Sequence, residues 1–165
     1  MTGKVAILMG SDSDLEIMKE ACEALKEFGI DYDIQVLSAH RSPELVSEFV
    51  KNAKAKGYRV LIAGAGGAAH LAGICAAHTT LPVIGVPIAS TPLNGFDALL
   101  ATVQMPAGIP VATTAIGKAG ARNAGILAAQ ILGIGDKSVE EKLIQFKKKL
   151  AESVRAKNEN LKQSI

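Results

Sequence analysis

Short apolar runs alternate with longer amphipathic stretches along this chain. The first run, Val5–Met9, ends at Gly10, and apolar side chains then recur at helical spacing from residue 13 to residue 28, before Gly29. The run predicts a buried strand, and the stretch after it predicts a helix. Further strands are predicted at 32–37, 60–63, 82–86 and 111–114, and further helices at 43–57, 95–103 and 119–132.

This alternation indicates how the strands are arranged. Parallel strands joined by helices form right-handed crossovers, which place helices on both faces of one sheet. We therefore predict an α/β fold with a doubly wound parallel sheet in the order 2-1-3-4-5, and a single domain over residues 1–165. Ligands of such sheets bind beyond the carboxyl ends of the strands, at the switch point between strands one and three.

The last helix differs from the others in its length and pattern. Ser138 and Glu141 have the spacing of a capping box, which predicts a helix over about 138–162. Its apolar stripe, at spacings of three and four, continues past the point where the sheet is complete. The members of this stripe are Val139, Leu143, Phe146, Leu150 and Val154. Two interpretations remain open: the helix lies across its own domain, or it packs on a neighbouring subunit.

Composition and charge disfavour several classes of protein. The chain has 165 residues, a net charge of +2, no Trp and 4% aromatic residues. Without a basic block or an aromatic platform, nothing favours binding to nucleic acid or to an anionic membrane. The first apolar run is too short for a signal peptide or a membrane span, so a cytoplasmic protein is expected. Cys22 and Cys75 lie in apolar helical patterns and are predicted to be small buried hydrophobes.

The first candidate site is Gly10–Asp14, directly after the first strand. Backbone N–H groups collect at the start of a helix, and small residues let an anion approach them. The two aspartate carboxylates of this loop would repel a phosphate, but they suit the hydroxyls of a ribose. The alternative is structural, because Ser13 and Glu16 have the spacing of a capping box. Both interpretations hold together if Ser13 caps the helix while Ser11 and Asp14 bind a ligand.

The second candidate site is Ser38–Pro43, between the second strand and a helix that should begin at Pro43 with Ser42 as its cap. It lies at the same edge of the predicted sheet as the first loop. Histidine is the residue type that exchanges protons most readily near neutral pH, and His40 is the histidine of this loop. Arg41 beside it offers a planar fork for phosphate. The alternative is that His40 is a polar surface residue.

The third candidate site is Gly64–Gly73, where glycines and alanines surround His70. Such a loop lets backbone amides contact a ligand closely, or bounds a small pocket. The alternatives are a tight loop where helices or subunits pack, and a structural role for His70. His78 has no polar companion in its helical pattern and is predicted to be structural. No zinc site is expected, because the three histidines lack paired ligand spacing.

Three segments together resemble a known family. They are Met9–Asp14, Ser38–Arg41 and Ala63–Leu71, and the match continues through Leu81–Pro87, Val103–Pro106 and Ala115–Lys118. From about residue 4 to residue 134 the chain resembles the N5-carboxyaminoimidazole ribonucleotide mutases. These are the class I members of the aminoimidazole ribonucleotide carboxylase family. One departure is Ala72, where many members have proline, and it removes some loop rigidity but no functional group.

The resemblance implies a three-layer flavodoxin-like fold with an extra C-terminal helix, assembled as a homo-oligomer and usually as an octamer. It implies an isomerase of purine biosynthesis that acts on a small ribonucleotide carrying a carbamate, with no cofactor and no metal. His40 would be the catalytic acid and base. The substrate would be bound by Ser11, Asp14, Ser38, Arg41, Gly66, Gly67, Ala68, His70 and Leu71.

Other functions fit the residues less well. Class II members of the same family join free carbon dioxide to the unmodified nucleotide, and their third loop differs from the one seen here. A receiver domain needs a phosphoacceptor aspartate after the third strand, where this chain has Gly64–Gly67. A flavin carrier needs aromatic rings around the flavin, and this chain has no Trp and two Tyr. A purely structural assembly protein would leave His40 and Arg41 without a role.

Overall fold

The computed structural model, which describes residues 3–164, has one five-stranded parallel sheet. The strand order is β2-β1-β3-β4-β5, as predicted. The strands are β1 (Lys4–Met9), β2 (Tyr32–Val36), β3 (Tyr58–Gly66), β4 (Val83–Ile88) and β5 (Ala112–Thr113). The helices are α1 (Leu15–Phe28), α2 (Pro43–Ala53), α3 (Leu71–His78), α4 (Phe96–Val103), α5 (Lys118–Gly133) and α6 (Lys137–Gln163).

Helices cover both faces of the sheet, which confirms the predicted three layers. Alternate residues of β1 point to opposite sides, so Ile7 joins a core with α1 and α5, whereas Leu8 joins a core with α2 and α3. Small residues bring α1 and α5 together: a Cβ at Gly125 would lie only 2.7 Å from the Cβ of Ala24. The predicted burial of Cys22 and Cys75 is confirmed as well.

The third strand is longer than the apolar run predicted. Gly64 and Gly66 belong to β3 and pair with β4, so the expected loop Gly64–Gly73 shrinks to residues 67–70 before α3 begins. Met18 of α1 lies directly over Gly64, and a Cβ there would collide with the Met18 sulfur. The glycine-rich pattern predicts a loop here, but in the structure it lets a helix pack closely on a central strand.

The helix starts differ from the predicted caps. The capping box proposed for Ser13 and Glu16 is wrong, because Ser11 and Asp14 form a reciprocal box two residues earlier, around the 3₁₀ turn Asp12–Asp14. The box proposed for Ser138 and Glu141 is also wrong. The Asp136 carboxylate instead accepts hydrogen bonds from the backbone N–H groups of the first turn of α6.

The second helix begins at Pro43, as predicted, and Ser42 occupies the cap position. The Ser42 hydroxyl makes no capping hydrogen bond, however, and donates instead to the carbonyl of Ser38. The expected cap is therefore correct in position but not in its contact. The hydroxyl stabilises the loop that precedes the helix.

The last helix divides into two parts. Its first turns pack on their own domain: Val139 is buried, and the ring of Phe146 lies edge-to-face on Phe28 with centroids 5.5 Å apart. Further along, Leu150 and Val154 of the same stripe are 48% and 58% exposed. The first of the two interpretations of this helix therefore describes its first half. No helix within residues 3–164 is long and apolar enough to cross a membrane.

Asp33 links three neighbouring strands at the amino edge of the sheet. Its carboxylate, on β2, accepts hydrogen bonds from Lys4 Nζ on β1 at 2.8 Å and from the Tyr58 hydroxyl on β3 at 2.5 Å. Two hydrogen bonds hold the pKa of the Asp33 carboxyl below its ordinary value. The one from Lys4 has the larger effect, and the one from Tyr58 the smaller. The ionised carboxylate therefore stabilises the folded state.

We expect Asp33→Asn to reduce stability at neutral pH and to matter less in acid. Because the pKa of Asp33 is lower in the folded than in the unfolded chain, its contribution is complete above about pH 4 and is lost as the pH falls through the folded-state value. Urea unfolding at fixed protein concentration, at neutral and at acidic pH, measures both differences. Asp31→Asn at the same edge is the control, and a difference that does not shrink in acid contradicts the assignment.

We expect Gly64→Ala to destabilise the protein by about 1–3 kcal/mol, because the added Cβ collides with buried Met18 in a packed core. Gly135→Ala is the matched control, since a Cβ there meets no heavy atom within 4 Å. Urea unfolding midpoints of the two variants measure the contrast. Equal stability of both variants would mean that the contact between α1 and β3 is looser than described.

Candidate active site

A cleft of about 320 Å³ opens at the carboxyl edge of the sheet. All three candidate loops contribute to it, as expected for a parallel sheet whose order reverses between β1 and β3. The lining residues are Gly10, Ser11, Ser13, Asp14, Ser38, Ala39, His40, Arg41, Ala65, Gly66, Ala69, His70, Leu71 and Ser90. The volume is in the range of small-molecule sites.

The first loop presents a buried carboxylate. Asp14 is 7% exposed, and its Oδ2 accepts the backbone N–H of Ser11 at 3.2 Å. Burial raises the pKa of the Asp14 carboxyl, and the Ser11 N–H and the nearby Arg41 charge oppose that rise. A carboxylate removed from water in this way has a strong demand for further donors, such as the hydroxyls of a sugar.

The second loop is held by hydrogen bonds among its own serines. Ser38 Oγ accepts the backbone N–H of Arg41 at 3.2 Å and its Nε–H at 3.3 Å, while the Ser42 N–H donates to the Ser38 carbonyl at 3.0 Å. Arg41 Nη2 also donates to the Gly10 carbonyl at 2.5 Å, which ties this loop to the first one. The guanidinium is therefore fixed in orientation at the edge of the cleft.

The third loop turns sharply to aim His70 at His40. Gly67 and Ala69 both adopt positive φ angles, 58° and 45°, and Ala69 is a residue type that rarely does so. His40 Nε2 lies 2.6 Å from His70 Nδ1, and the two rings meet at 79°. Two histidines 30 positions apart in the sequence thus form one hydrogen-bonded pair.

Two of the expected binding residues do not line the cleft. Gly67 and Ala68 form the outer part of the turn, and Ala68 is exposed. The other expected residues do line it, namely Ser11, Asp14, Ser38, His40, Arg41, Gly66, His70 and Leu71. The turn geometry separates the two groups, because successive residues of a tight turn point in different directions.

Ser90 lines the cleft and was absent from the sequence-based candidates. It follows β4, and a Cβ at Gly66 would collide with its hydroxyl oxygen, so glycine at that position makes room for it. The position of Ser90 just beyond the carboxyl end of a strand was the one signal that could have indicated it. No chemical motif surrounds it.

Neither a metal site nor a reactive thiol is apparent in the described part of the chain. Residues 3–164 contain no group of three or more His, Cys, Asp or Glu side chains that could hold a metal ion. Burial raises the pKa of the Cys75 thiol to about 12, so this thiol is protonated and inert at neutral pH. The ionisable side chains of the cleft are Asp14, His40, Arg41 and His70.

The family model described as AIR carboxylase matches residues 4–153. The chain belongs to the AIR carboxylase family. It is 54% identical over 160 residues to the N5-carboxyaminoimidazole ribonucleotide mutase of Thermotoga maritima, covering 97% of this chain and 92% of that protein. It is 54% identical over 157 residues to the protein of the same name from Bacillus subtilis, covering 95% and 97% of the two chains.

A solved structure of the same fold supports the family membership. The crystal structure of Treponema denticola PurE matches with a TM-score of 0.87 and 30% identity, covering 96% of this chain and 98% of that one. Ala72, the departure from the family pattern expected from the sequence, lies in the first turn of α3.

Proposed function

We propose that this chain is an N5-carboxyaminoimidazole ribonucleotide mutase, an isomerase of de novo purine biosynthesis that works without a cofactor. Its product is 4-carboxy-5-aminoimidazole ribonucleotide. The observation that carries the proposal is the position of His40, which lines the same cleft as the fixed guanidinium of Arg41 and the buried carboxylate of Asp14. A reaction that both donates and removes a proton needs such a group beside a nucleotide site.

The nucleotide is held by groups on the first two loops. Arg41 pairs with its phosphate, since a planar guanidinium offers paired N–H donors that match phosphate oxygens. The Asp14 carboxylate accepts hydrogen bonds from the ribose hydroxyls, and the Ser11 hydroxyl exchanges hydrogen bonds with them. A buried carboxylate is well suited to accept from such hydroxyls. These contacts leave the aminoimidazole ring beside His40 and the third loop. Ser38 and Leu71 complete the wall of the cleft.

One histidine performs both proton transfers. The His40 imidazolium gives a proton to the carbamate nitrogen, the bond from that nitrogen to the carboxyl carbon breaks, and carbon dioxide and a neutral aminoimidazole form. The electron-rich ring carbon beside the amino-bearing carbon then attacks carbon dioxide. Neutral His40 removes the proton that this carbon still carries, which restores the imidazolium. Such proton transfer contributes about 10²–10⁴-fold to the rate.

The end of β3 and the turn after it keep carbon dioxide close to the attacking carbon. Ala65, Gly66 and Ala69 line the cleft with almost no side chain, so the wall there is shaped by backbone. Containment makes the recombination effectively unimolecular, which supplies rate enhancement beyond the proton transfers. A direct carboxylase would instead take carbon dioxide from solution. The glycine- and alanine-rich third loop favours the mutase over that second candidate.

Carbon-labelled substrate tests the function and separates the two candidates. We expect purified protein to convert carbamate-labelled N5-carboxyaminoimidazole ribonucleotide to its carbon-carboxylated isomer with the label retained, even in excess unlabelled bicarbonate. Retention follows if carbon dioxide stays in the site between the two steps. Mass spectrometry of the product at early conversion measures it. Complete loss of label, or turnover only of the uncarboxylated nucleotide with bicarbonate, identifies a direct carboxylase.

We expect His40→Asn to abolish turnover while fold and assembly are preserved, because asparagine keeps polarity and approximate size but does not exchange a proton. The matched control is His78→Asn, which changes an exposed histidine at the far end of α3. Steady-state kinetics and circular dichroism of both variants provide the measurement. Turnover of His40→Asn within about tenfold of the parent would contradict the assignment, since an acid–base residue contributes more than that.

The proposed enzyme is a cytoplasmic homo-oligomer, and we favour an octamer with active sites completed by neighbouring chains. Two observations support association: Leu150 and Val154 continue an apolar stripe into solvent, and Phe96 and Leu100 of α4 are 61% and 46% exposed. Exposed apolar surface of this extent is typical of interfaces. The cytoplasmic location suits a chain whose two cysteines are free and buried.

We expect light scattering to give eight times the chain mass, and Val154→Glu to reduce both the mass and the activity. A carboxylate in an apolar interface is left without a partner, which opposes association. Ala156→Glu, on the opposite side of α6, is the control that adds the same charge off the stripe. A wild-type monomer with full activity would contradict both the assembly and the shared active site.

A further inference from the structure

The segment that follows β4 forms one side of the cleft, and the proposed reaction gives it no role. It joins β4 to α4 over residues 89–95, which we call the fourth loop. Ser90 of this loop lines the cleft. A Cβ at Gly66 would collide with the Ser90 hydroxyl oxygen, so Ser90 lies directly against the end of β3. That end of β3 is part of the wall that confines carbon dioxide in the proposed reaction.

A hydrogen bond between two side chains ties the fourth loop to the helix that follows it. The Thr91 hydroxyl donates to Oδ2 of Asp97, in the first turn of α4, with 2.7 Å between the oxygens. This hydrogen bond is the largest of the causes that hold the pKa of the Asp97 carboxyl below its ordinary value. The acceptor is therefore ionised at neutral pH, and hydrogen bonds to ionised acceptors are stronger than those between neutral groups.

The same threonine organises the backbone of the loop. Thr91 Oγ1 accepts the Leu93 N–H at 3.2 Å, and the Thr91 carbonyl accepts the Asn94 N–H at 3.1 Å. Asn94 and Gly95 then adopt positive φ angles of 51° and 83° and turn the chain into α4. Asparagine and glycine are the residue types that reach this region at least cost. The loop therefore follows one defined path between the cleft and α4.

Neighbouring segments support the fourth loop from two sides. A Cβ at Gly67, in the turn after β3, would lie 3.8 Å from Thr91 Cγ2, so the threonine methyl group lies close to that turn. A Cβ at Gly95 would lie 2.7 Å from Ile116 Cγ2, so glycine there lets the segment after β5 pack on the loop. Because Thr91 is tied to α4 and lies beside the turn after β3, it fixes the preceding residue, Ser90, relative to the end of β3.

We propose that Thr91 and Asp97 are positioning residues, whose hydrogen bond holds Ser90 against the end of β3 and so closes the carbon dioxide site. This inference rests on the proposed function. Neither residue lines the cleft, so both act through Ser90. Without the hydrogen bond, Ser90 moves away from Gly66 and carbon dioxide escapes before the ring carbon attacks it. Nucleotide binding is left intact, because the phosphate and the ribose are held by the first two loops.

Label retention in two variants of Thr91 tests the role. Thr91→Val keeps the shape and the methyl group but removes the hydroxyl, whereas Thr91→Ser keeps the hydroxyl and removes the methyl group. With carbamate-labelled substrate in excess unlabelled bicarbonate, we expect Thr91→Val to lose about tenfold more label per turnover than wild type. A hydrogen bond to a charged group shifts an equilibrium between a closed and an open loop by about that factor or more. Thr91→Ser should retain label as wild type does, and KM should change less than about threefold in both variants.

Variants of Asp97 give a second comparison. Asp97→Ala removes the acceptor and should lose label as Thr91→Val does, whereas Asp97→Asn keeps an oxygen acceptor and should lose less. Adding Asp97→Ala to Thr91→Val should have little further effect, because the two side chains act through one contact. Glu140→Ala is the control, since it removes a carboxylate from the first turn of α6, a helix that does not line the cleft. We expect Glu140→Ala to retain label as wild type does.

Amide hydrogen exchange measures the loop itself, without substrate or turnover. The peptide covering residues 89–95 should be protected in the wild-type protein, because the N–H groups of Leu93 and Asn94 donate to Thr91. Mass spectrometry should show exchange there about tenfold faster in Thr91→Val and at the wild-type rate in Thr91→Ser, since exchange follows the free energy of local opening. The peptide covering the first turn of α6 serves as the internal reference.

The outcomes separate the two proposals. A wild-type chain that is inactive or loses all label, but whose loop opens in Thr91→Val, overturns the proposed function and supports the contact as the lock of the loop. Unchanged label retention in Thr91→Val, or equal label loss in Thr91→Val and Thr91→Ser, overturns the positioning role. A raised KM with label fully retained also overturns it, because Thr91 would then act on nucleotide binding. If Asp97→Ala does not fold, the Thr91 variants and the exchange measurement decide.

Discussion

The close packing of α1 on the carboxyl end of β3 is the constraint on which the rest of the structure depends. β3 pairs with β1 as far as Gly64 and with β4 as far as Gly66, and Met18 covers it at Gly64. Only a residue without a side chain fits beneath that methionine. Because β3 stays in the sheet up to this point, the third loop emerges beside the first and second loops rather than some distance before them.

Backbone groups around the cleft fix the orientation of several of its side chains. The carbonyl of Gly10 holds Arg41, the N–H of Ser11 holds Asp14, and the carbonyl of Gly66 closes the turn before His70. Hydrogen bonds of this kind leave little conformational freedom to the charged side chains. A preorganised site therefore loses less conformational entropy when it binds a ligand. The same fixed loops bring the rings of His40 and His70 into contact.

The last helix shows how one amphipathic pattern serves two purposes. A single stripe of spacing three and four runs from Val139 to Val154. Val139 is buried against α1 and α5, and Leu143 and Phe146 are half-buried against the same core. Beyond Phe146 the domain ends while the stripe continues, so the later members face solvent in the single chain. The pattern alone could not divide these roles, because the periodicity is the same on both sides of the boundary.

The order of elements, the strand order and the edge that carries the site were all predictable from the sequence, since apolar periodicity and the rules for parallel connections are local or topological. The loops holding Asp14, His40 and Arg41 were located for the same reason. Tertiary structure alone decided that His70 faces His40, that Ser90 joins the cleft, that Gly64 belongs to a strand and that Asp136 caps the last helix. Each of these depends on which atoms approach each other across elements distant in sequence or on the direction of a side chain in a turn, and neither is encoded in residue type and spacing.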